Sequence, residues 1–270
     1  MNRGGDEDDA PRRPFSLSLG SAALLVLAAL LFEMVADAAL ADLSGMLGLS
    51  PGAVGALARW LSHGLLLIIV IHSAGWRLRD VLHHSPVSTP ATIAALLPPL
   101  LLLTPALLAA DTLAGSLIEQ WLPLSQWERD AFDEMASPSI ANVVMVCVMA
   151  PLLEELLFRG VILRGFLRRY DPVTAVVHSA AVFGLAHLNV HQFFVAFPLG
   201  LIAGWLLLRT GSLWPGILLH ALLNTGVTLL SQQAAGTDPS LAEWAGLLVL
   251  CGVPGLWWLR RAVDRWGERP

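Results

Sequence analysis

An all-α, polytopic membrane bundle of about eight transmembrane helices, with both termini in the cytoplasm, is the fold class this sequence predicts, and three observations predict it. Of the 270 residues 56% are hydrophobic and only 14% are charged, and the mean hydropathy is +0.66, a balance that a soluble core does not accommodate. Apolar runs of about 20 residues, the length that crosses a hydrocarbon core, recur along the chain. The arginines fall almost entirely in alternate connections between those runs.

The elements follow in order. Residues 1–14 are polar, with Asp6 to Asp9 ahead of Arg12 and Arg13, and predict a disordered cytoplasmic tail. The arginine pair resembles a twin-arginine export signal, but the acidic lead and the long apolar run behind it suit a retained first span. Spans are expected near 16–36, 57–76, 91–110, 139–158, 173–188, 193–209, 213–231 and 241–259. Glu33 and Asp37 close the first at the interface, and His63, His72, His83 and His84 fall near span ends and read as interfacial. Pro98, Pro99 and Pro105 should kink the third span. Segment 111–138 holds Trp121, Trp127 and six acidic residues against Arg129 alone, which predicts an outer, partly helical interfacial element. The chain divides into the 1–14 tail, N-terminal spans with the outer amphipathic loop over 15–138, a core over 139–231, and the last span with a cytoplasmic tail over 232–270.

With the N-terminus inside, fourteen of the sixteen arginines lie on the inner side, and only Arg59 and Arg129 fall outside. The fifth and sixth spans are short and joined by an uncharged turn, Leu188 to Gln192, which predicts a hairpin whose turn stays below the outer surface. Ala196, Gly200 and Gly204 make a small-residue row for helix packing. The net charge of −5 comes from acidic residues clustered in loops and offers nothing to nucleic acid. Cys147 and Cys251 lie in apolar spans, where no disulfide framework is expected.

Chemistry concentrates where charge enters the apolar runs. Pro151 to Gly160 places Glu154, Glu155 and Arg159 inside one span, and each such group costs roughly 2.5–3.5 kcal/mol at bilayer depth. Glu155 and Arg159 are four apart and share a helix face, whereas adjacent Glu154 points about 100° away. Glu155 with Arg159 thus reads as a structural pair and Glu154 as the group free for chemistry; the alternative is a solvated helix end. Two further pairs sit one turn apart: Phe183 with His187, and His220 with Asn224. His178 points away from His187, while His191, one turn after it, is a secondary zinc candidate.

These three ordered motifs, with the surrounding Phe183-Gly-Leu-Ala-His187 and Ser212-Leu-Trp-Pro-Gly-Ile-Leu-Leu-His220, resemble the CPBP family, which comprises the type II CAAX prenyl proteases and related bacterial membrane proteins. The resemblance covers about 139–231; the first three spans match nothing comparable. It implies an intramembrane endopeptidase acting on a membrane-associated protein or peptide, in a multi-pass protein of the bacterial cytoplasmic membrane. Under it, Glu154 is the base that activates water, His187 positions water or shuttles the proton, and His220 with Asn224 holds the carbonyl oxygen. Glu155, Arg159 and Phe183 support them. Zinc on Glu154, His187 and His220 is one version of the chemistry; a route with no required cofactor is preferred, because ligation would leave no general base. His-Glu-xx-His, Gly-x-Ser-Gly and Gly-x-Gly-Asp signatures are absent from the sequence. A non-cleaving scaffold or immunity protein and a proton-coupled transporter are the competing readings, the latter opposed by the lack of an inverted repeat.

Overall fold

The computed structural model describes residues 15–136, 139–232 and 239–267, so the expected N-terminal tail lies outside the described residues. Each predicted span is a helix. In order they are α1 (Leu19–Leu47), α2 (Pro51–Ser73), the short α3 (Leu78–Leu82), α4 (Thr89–Trp121), the surface helix α5 (Gln126–Ala136), α6 (Ile140–Phe166), α7 (Pro172–Ala186), α8 (Val190–Thr210), α9 (Trp214–Ser231) and α10 (Leu241–Trp266). Six of these, α1, α2, α4, α6, α8 and α10, are long and apolar enough to cross a membrane. With 15 residues, α7 spans only about 22 Å, and α9 carries His220 and Asn224 among its apolar residues.

Local signals explain the boundaries. Ser18, Ser50 and Asn189 cap α1, α2 and α8 by accepting backbone N–H bonds, and Pro51 and Pro172 occupy first helical positions that need no donor. Asp171 caps α7 with bonds from the Val173 and Thr174 amides, and the Thr174 side chain together with these amides holds its carboxyl below the usual range. Gly48 and Gly211, at φ 65° and 67°, end α1 and α8 in left-handed turns.

Two boundary differences matter. The first helix runs to Leu47, not to 36, so Glu33 lies at its middle and not at its end. The second begins at Pro51, not 57, so Arg59 and buried His63 also lie mid-helix. A helix continues wherever its backbone bonds close, even through Asp37 and Asp42, whereas apolarity alone stops a span count. Similarly, α4 stays helical through Pro98, Pro99 and Pro105.

Cross-contacts sort the connections into two ends. At one, the Leu17 N–H donates to the Gly165 carbonyl, Arg164 donates to the Asp80 and Val81 carbonyls, His84 pairs with Gly211, and Arg209 meets Asp264. His83, expected near a span end, bridges the Ser212 hydroxyl and the Val87 carbonyl there. At the other end Asn189 donates to Glu128 and His191 to the Leu122 carbonyl. The α7–α8 turn therefore reaches the 122–128 connection and does not stop short of it. Helix α6 packs on α2, α3, α7, α8 and α9, and its Leu157, Val161, Ile162 and Phe166 are fully buried. Helix α2 lies along α6 in the same direction, with Gly52 against Asn142 near their starts and Val81, just beyond α2, against Gly160.

Candidate active site

The site forms in the middle of α6, where the helix is not regular. Two stretches, Met145–Met149 and Leu156–Leu163, are wound as π-helix, and Ala150–Glu155 between them is α-helical. Wide turns of this kind recur at functional sites. Pro151 explains part of the geometry: in the π register the Val146 carbonyl would take the amide of residue 151, and proline has none. Asn224 of α9 supplies the missing donor, its Nδ2 lying 2.8 Å from that carbonyl. One of the two Asn224 amide hydrogens is thereby committed to the fold, and the other is left for a further acceptor.

Glu155 and Arg159 pair as the four-residue spacing predicts, Nη1 to Oε1 3.0 Å, with side-chain exposures of 0% and 1%. Phe183 of α7 covers the guanidinium, whose central carbon lies 4.2 Å from the ring centre. Arg159 Nε and Nη2 and Glu155 Oε2 have no hydrogen-bond partner among the described residues, so the pair rests on its mutual charge and this aromatic lid. Its space comes from glycines. A Cβ on Gly200 would stand 2.9 Å from Arg159 Nη2, and one on Gly216 would stand 3.1 Å from Glu155 Oε2. Gly200, expected only as a packing residue, thus makes room for the guanidinium.

His220 joins the two glutamates. Its Nδ1 is 3.3 Å from Glu155 Oε1, and its Nε2 is 3.8 Å from Glu154 Oε2. The adjacent carboxylates do leave the helix in different directions, but they meet opposite nitrogens of one imidazole. Glu155 therefore does more than neutralise Arg159: it orients His220 as a carboxylate orients a catalytic or metal-bound imidazole. Glu154 keeps 16% side-chain exposure, which leaves its carboxylate reachable while Glu155 is sealed.

His187 caps the end of α7. Its Nδ1 donates to the Phe183 carbonyl at 2.9 Å, since a carbonyl can only accept, and that leaves Nε2 of the neutral ring as the free acceptor. The Phe183 ring stands between the two histidines, 5.1 Å from the His187 ring and 5.8 Å from that of His220. Glu154, Glu155, His220 and Asn224 thus gather between α6 and α9, with His187 reached across Phe183. His191 is not a partner for His187: Leu188, at φ 53°, breaks the helix between them, and His191 bonds to Leu122. His178 packs edge-on against Phe166 and Tyr170, away from the site. No group of three or more His, Cys, Asp or Glu side chains able to hold a metal ion forms among the described residues. The Glu154, His187 and His220 set therefore does not close into a zinc site in this arrangement.

A second polar cluster was missed in the sequence. Arg59 Nε donates to Glu33 Oε1 at 2.9 Å, His63 Nδ1 lies 3.7 Å from Glu33 Oε2, and the Ser62 hydroxyl is 3.4 Å from the same nitrogen. The signal available was Ser50 ahead of Pro51, a helix start that carries Arg59 and His63 one-third to one-half of the way along α2.

A family described as type II CAAX prenyl endopeptidase, Rce1-like, matches residues 136–226, the stretch that holds every motif named above. A Bacillus subtilis (strain 168) protein named "Putative membrane peptidase YdiL" is 25% identical over 91 residues, which cover 34% of this chain and 37% of that protein. The chain thus matches little more than a third of that relative's length. No solved structure matches.

Proposed function

We propose, from the premise that residues 136–226 belong to the CPBP family of membrane proteins, that this chain is an intramembrane endopeptidase hydrolysing a peptide bond of a membrane-associated protein or peptide. The observation that carries the reading is the pairing of a reachable carboxylate with an oriented imidazole: Glu154 lies 3.8 Å from Nε2 of a His220 that Glu155 holds by its other nitrogen.

In this reading a water between Glu154 and His220 gives a proton to the Glu154 carboxylate as its oxygen attacks the substrate carbonyl carbon. A separation above 3.5 Å between polar groups is one a water can bridge. The developing oxyanion takes hydrogen bonds from His220, when it carries a proton on Nε2, and from the uncommitted N–H of Asn224. When the C–N bond breaks, the proton on Glu154 passes to the leaving amine; His187, on the far side of Phe183, offers its Nε2 as an acceptor on the substrate's approach and not to Glu154 directly. The route uses no metal, because the three candidate ligands do not converge and a ligated Glu154 would no longer serve as base. Full activity in a chelator is the expected result; loss with recovery on adding zinc would replace this route by a metal-dependent one.

Orientation is part of the proposal. The arginine-rich end, which holds Arg77, Arg79, Arg164, Arg209 and Arg260, faces the cytoplasm by the positive-inside rule. A reporter fused after Asp130 should then behave as external, and a cytoplasmic signal there would reverse the bundle.

The deciding experiment compares the membrane proteomes of cells carrying wild type and Glu154→Gln for peptide termini that depend on Glu154. Loss of such termini, with the variant accumulating normally, is expected, and the rate should fall by about 10²–10⁴-fold. A scaffold or immunity protein would keep its phenotype in Glu154→Gln, and a transporter would lose its phenotype with no change in termini.

A further inference from the structure

The Glu33, Arg59 and His63 cluster lies on α1 and α2, outside the 136–226 stretch. Charged groups at mid-helix are costly in a bilayer, so their retention calls for a partner or a use. Glu33 divides its two oxygens between Arg59 and His63. Arg59 spends only its Nε on Glu33; its terminal nitrogens have no hydrogen-bond partner among the described residues, and its side chain is 41% exposed. The guanidinium is therefore held at one edge and open at the other.

The helix register aims it at the site. Gly52 of α2 meets Asn142 of α6, and the two helices run in the same direction. Eleven residues on, His63 stands about level with residue 153, beside Glu154, with Arg59 about one turn before it along α2. Arg59 and His63 both stand close enough to Glu154 for its carboxylate to act on them electrostatically. The other charged or titratable groups around Glu154 are His220 from α9 and its own helix's Glu155 and Arg159. Of these, Glu155 and Arg159 are engaged with each other, and Glu154 itself has no hydrogen-bond partner among the described residues closer than the 3.8 Å contact with His220. Glu154 is thus loosely held, and α2 is the neighbouring element that carries a cation with unspent donors.

We propose that Arg59, tethered by Glu33 and His63, is a positioning residue for the Glu154 carboxylate, so that the N-terminal helix pair completes the active site. The inference rests on the endopeptidase reading, and its test separates the two. The readout is the rate at which Glu154-dependent termini appear in membranes of cells carrying each full-length variant, with membrane accumulation and the melting temperature of the purified protein beside it. Arg59→Gln should slow cleavage about 10²-fold, as expected for a misplaced catalytic group, with unchanged accumulation. Arg59→Lys should return it to within about tenfold of wild type, and Glu33→Gln, which leaves the charge in place, should also stay within about tenfold.

The exchange Glu33→Arg with Arg59→Glu decides between positioning and simple helix pairing. It keeps an ion pair between α1 and α2 but turns the charge facing Glu154 negative, so the protein should accumulate normally and remain slow. Restored cleavage in the exchange, equal slowing by Glu33→Gln and Arg59→Gln, or a wild-type rate in Arg59→Gln would each overturn the inference. If Glu154→Gln itself removes no termini, the endopeptidase reading fails instead.

Discussion

Glu155 and Arg159 keep 0% and 1% side-chain exposure, whereas Glu33 and Arg59, paired between neighbouring helices, keep 22% and 41%. The first pair is enclosed by Phe183, Gly200 and Gly216 from three other helices; the second sits on a hairpin whose first helix buries only Ala22, Val26 and Ala29. The same two residue types at the same kind of distance thus serve different ends. A sealed pair cannot be approached and can only hold its neighbours in place, while an open pair still has a face to offer. What separates scaffold from reactive surface here is the packing around the charges, not the charges themselves.

The largest effect that would sharpen this contrast is on stability. Glu155→Gln leaves the Arg159 charge buried without its partner, and such losses cost about 3–5 kcal/mol. Glu33→Gln keeps an amide acceptor beside an Arg59 that is 41% exposed and not sealed, so its loss should be the smaller. Thermal unfolding of the two purified variants should show that order, and equal losses would erase the distinction. Next is Gly200→Val, which drives methyl groups onto Arg159 Nη2 and Ala180 and should cost about 1–3 kcal/mol, the range for overpacking. A variant as stable as wild type would mean that the guanidinium has room to spare.

Asn224→Leu comes next. It orphans the Val146 carbonyl opposite Pro151, a loss of about 1–3 kcal/mol, and it should lower activity as well; a purely catalytic Asn224 would lose activity with its melting temperature unmoved. The smallest effect lies outside both clusters. Asp171 is held below the usual carboxyl range by the bonds it accepts from Thr174 and Val173, so its cap on α7 is present above the unfolded carboxyl pKa of about 3.9 and is lost as pH falls through the lower folded value. Faster amide exchange confined to the first turn of α7 at the acid end is the expected sign.

Much of this was readable from residue types. The bundle, the order of its helices and the Glu155–Arg159 pair followed from run length and the four-residue spacing, because both are properties of a single helix. The meeting of Glu154 and Glu155 at one imidazole did not, since it depends on where α9 places His220. Nor did the role of Asn224: the wide turn before Pro151 leaves no periodic trace, and the orphaned carbonyl is visible only in three dimensions. Glu33 and His63 were misplaced for a simpler reason. Counting apolar residues ended the first span at 36 and started the second at 57, and so put mid-helix groups near span ends.

The two helices that complete the core, α7 and α9, are the ones a bilayer would accept least readily by themselves: one is 15 residues long, and the other has an imidazole and a carboxamide along it. Their biosynthesis cannot proceed as the independent release of one hydrophobic segment after another. Each needs a protein surface already in place, α6 and α8 for the first and α4 and α6 for the second, to shorten its lipid contact and satisfy its polar groups. Integration of the 172–231 stretch is therefore a cooperative event, and His220 and Asn224 reach Glu154 and Val146 of α6 in the same step that allows these segments to stay in the membrane.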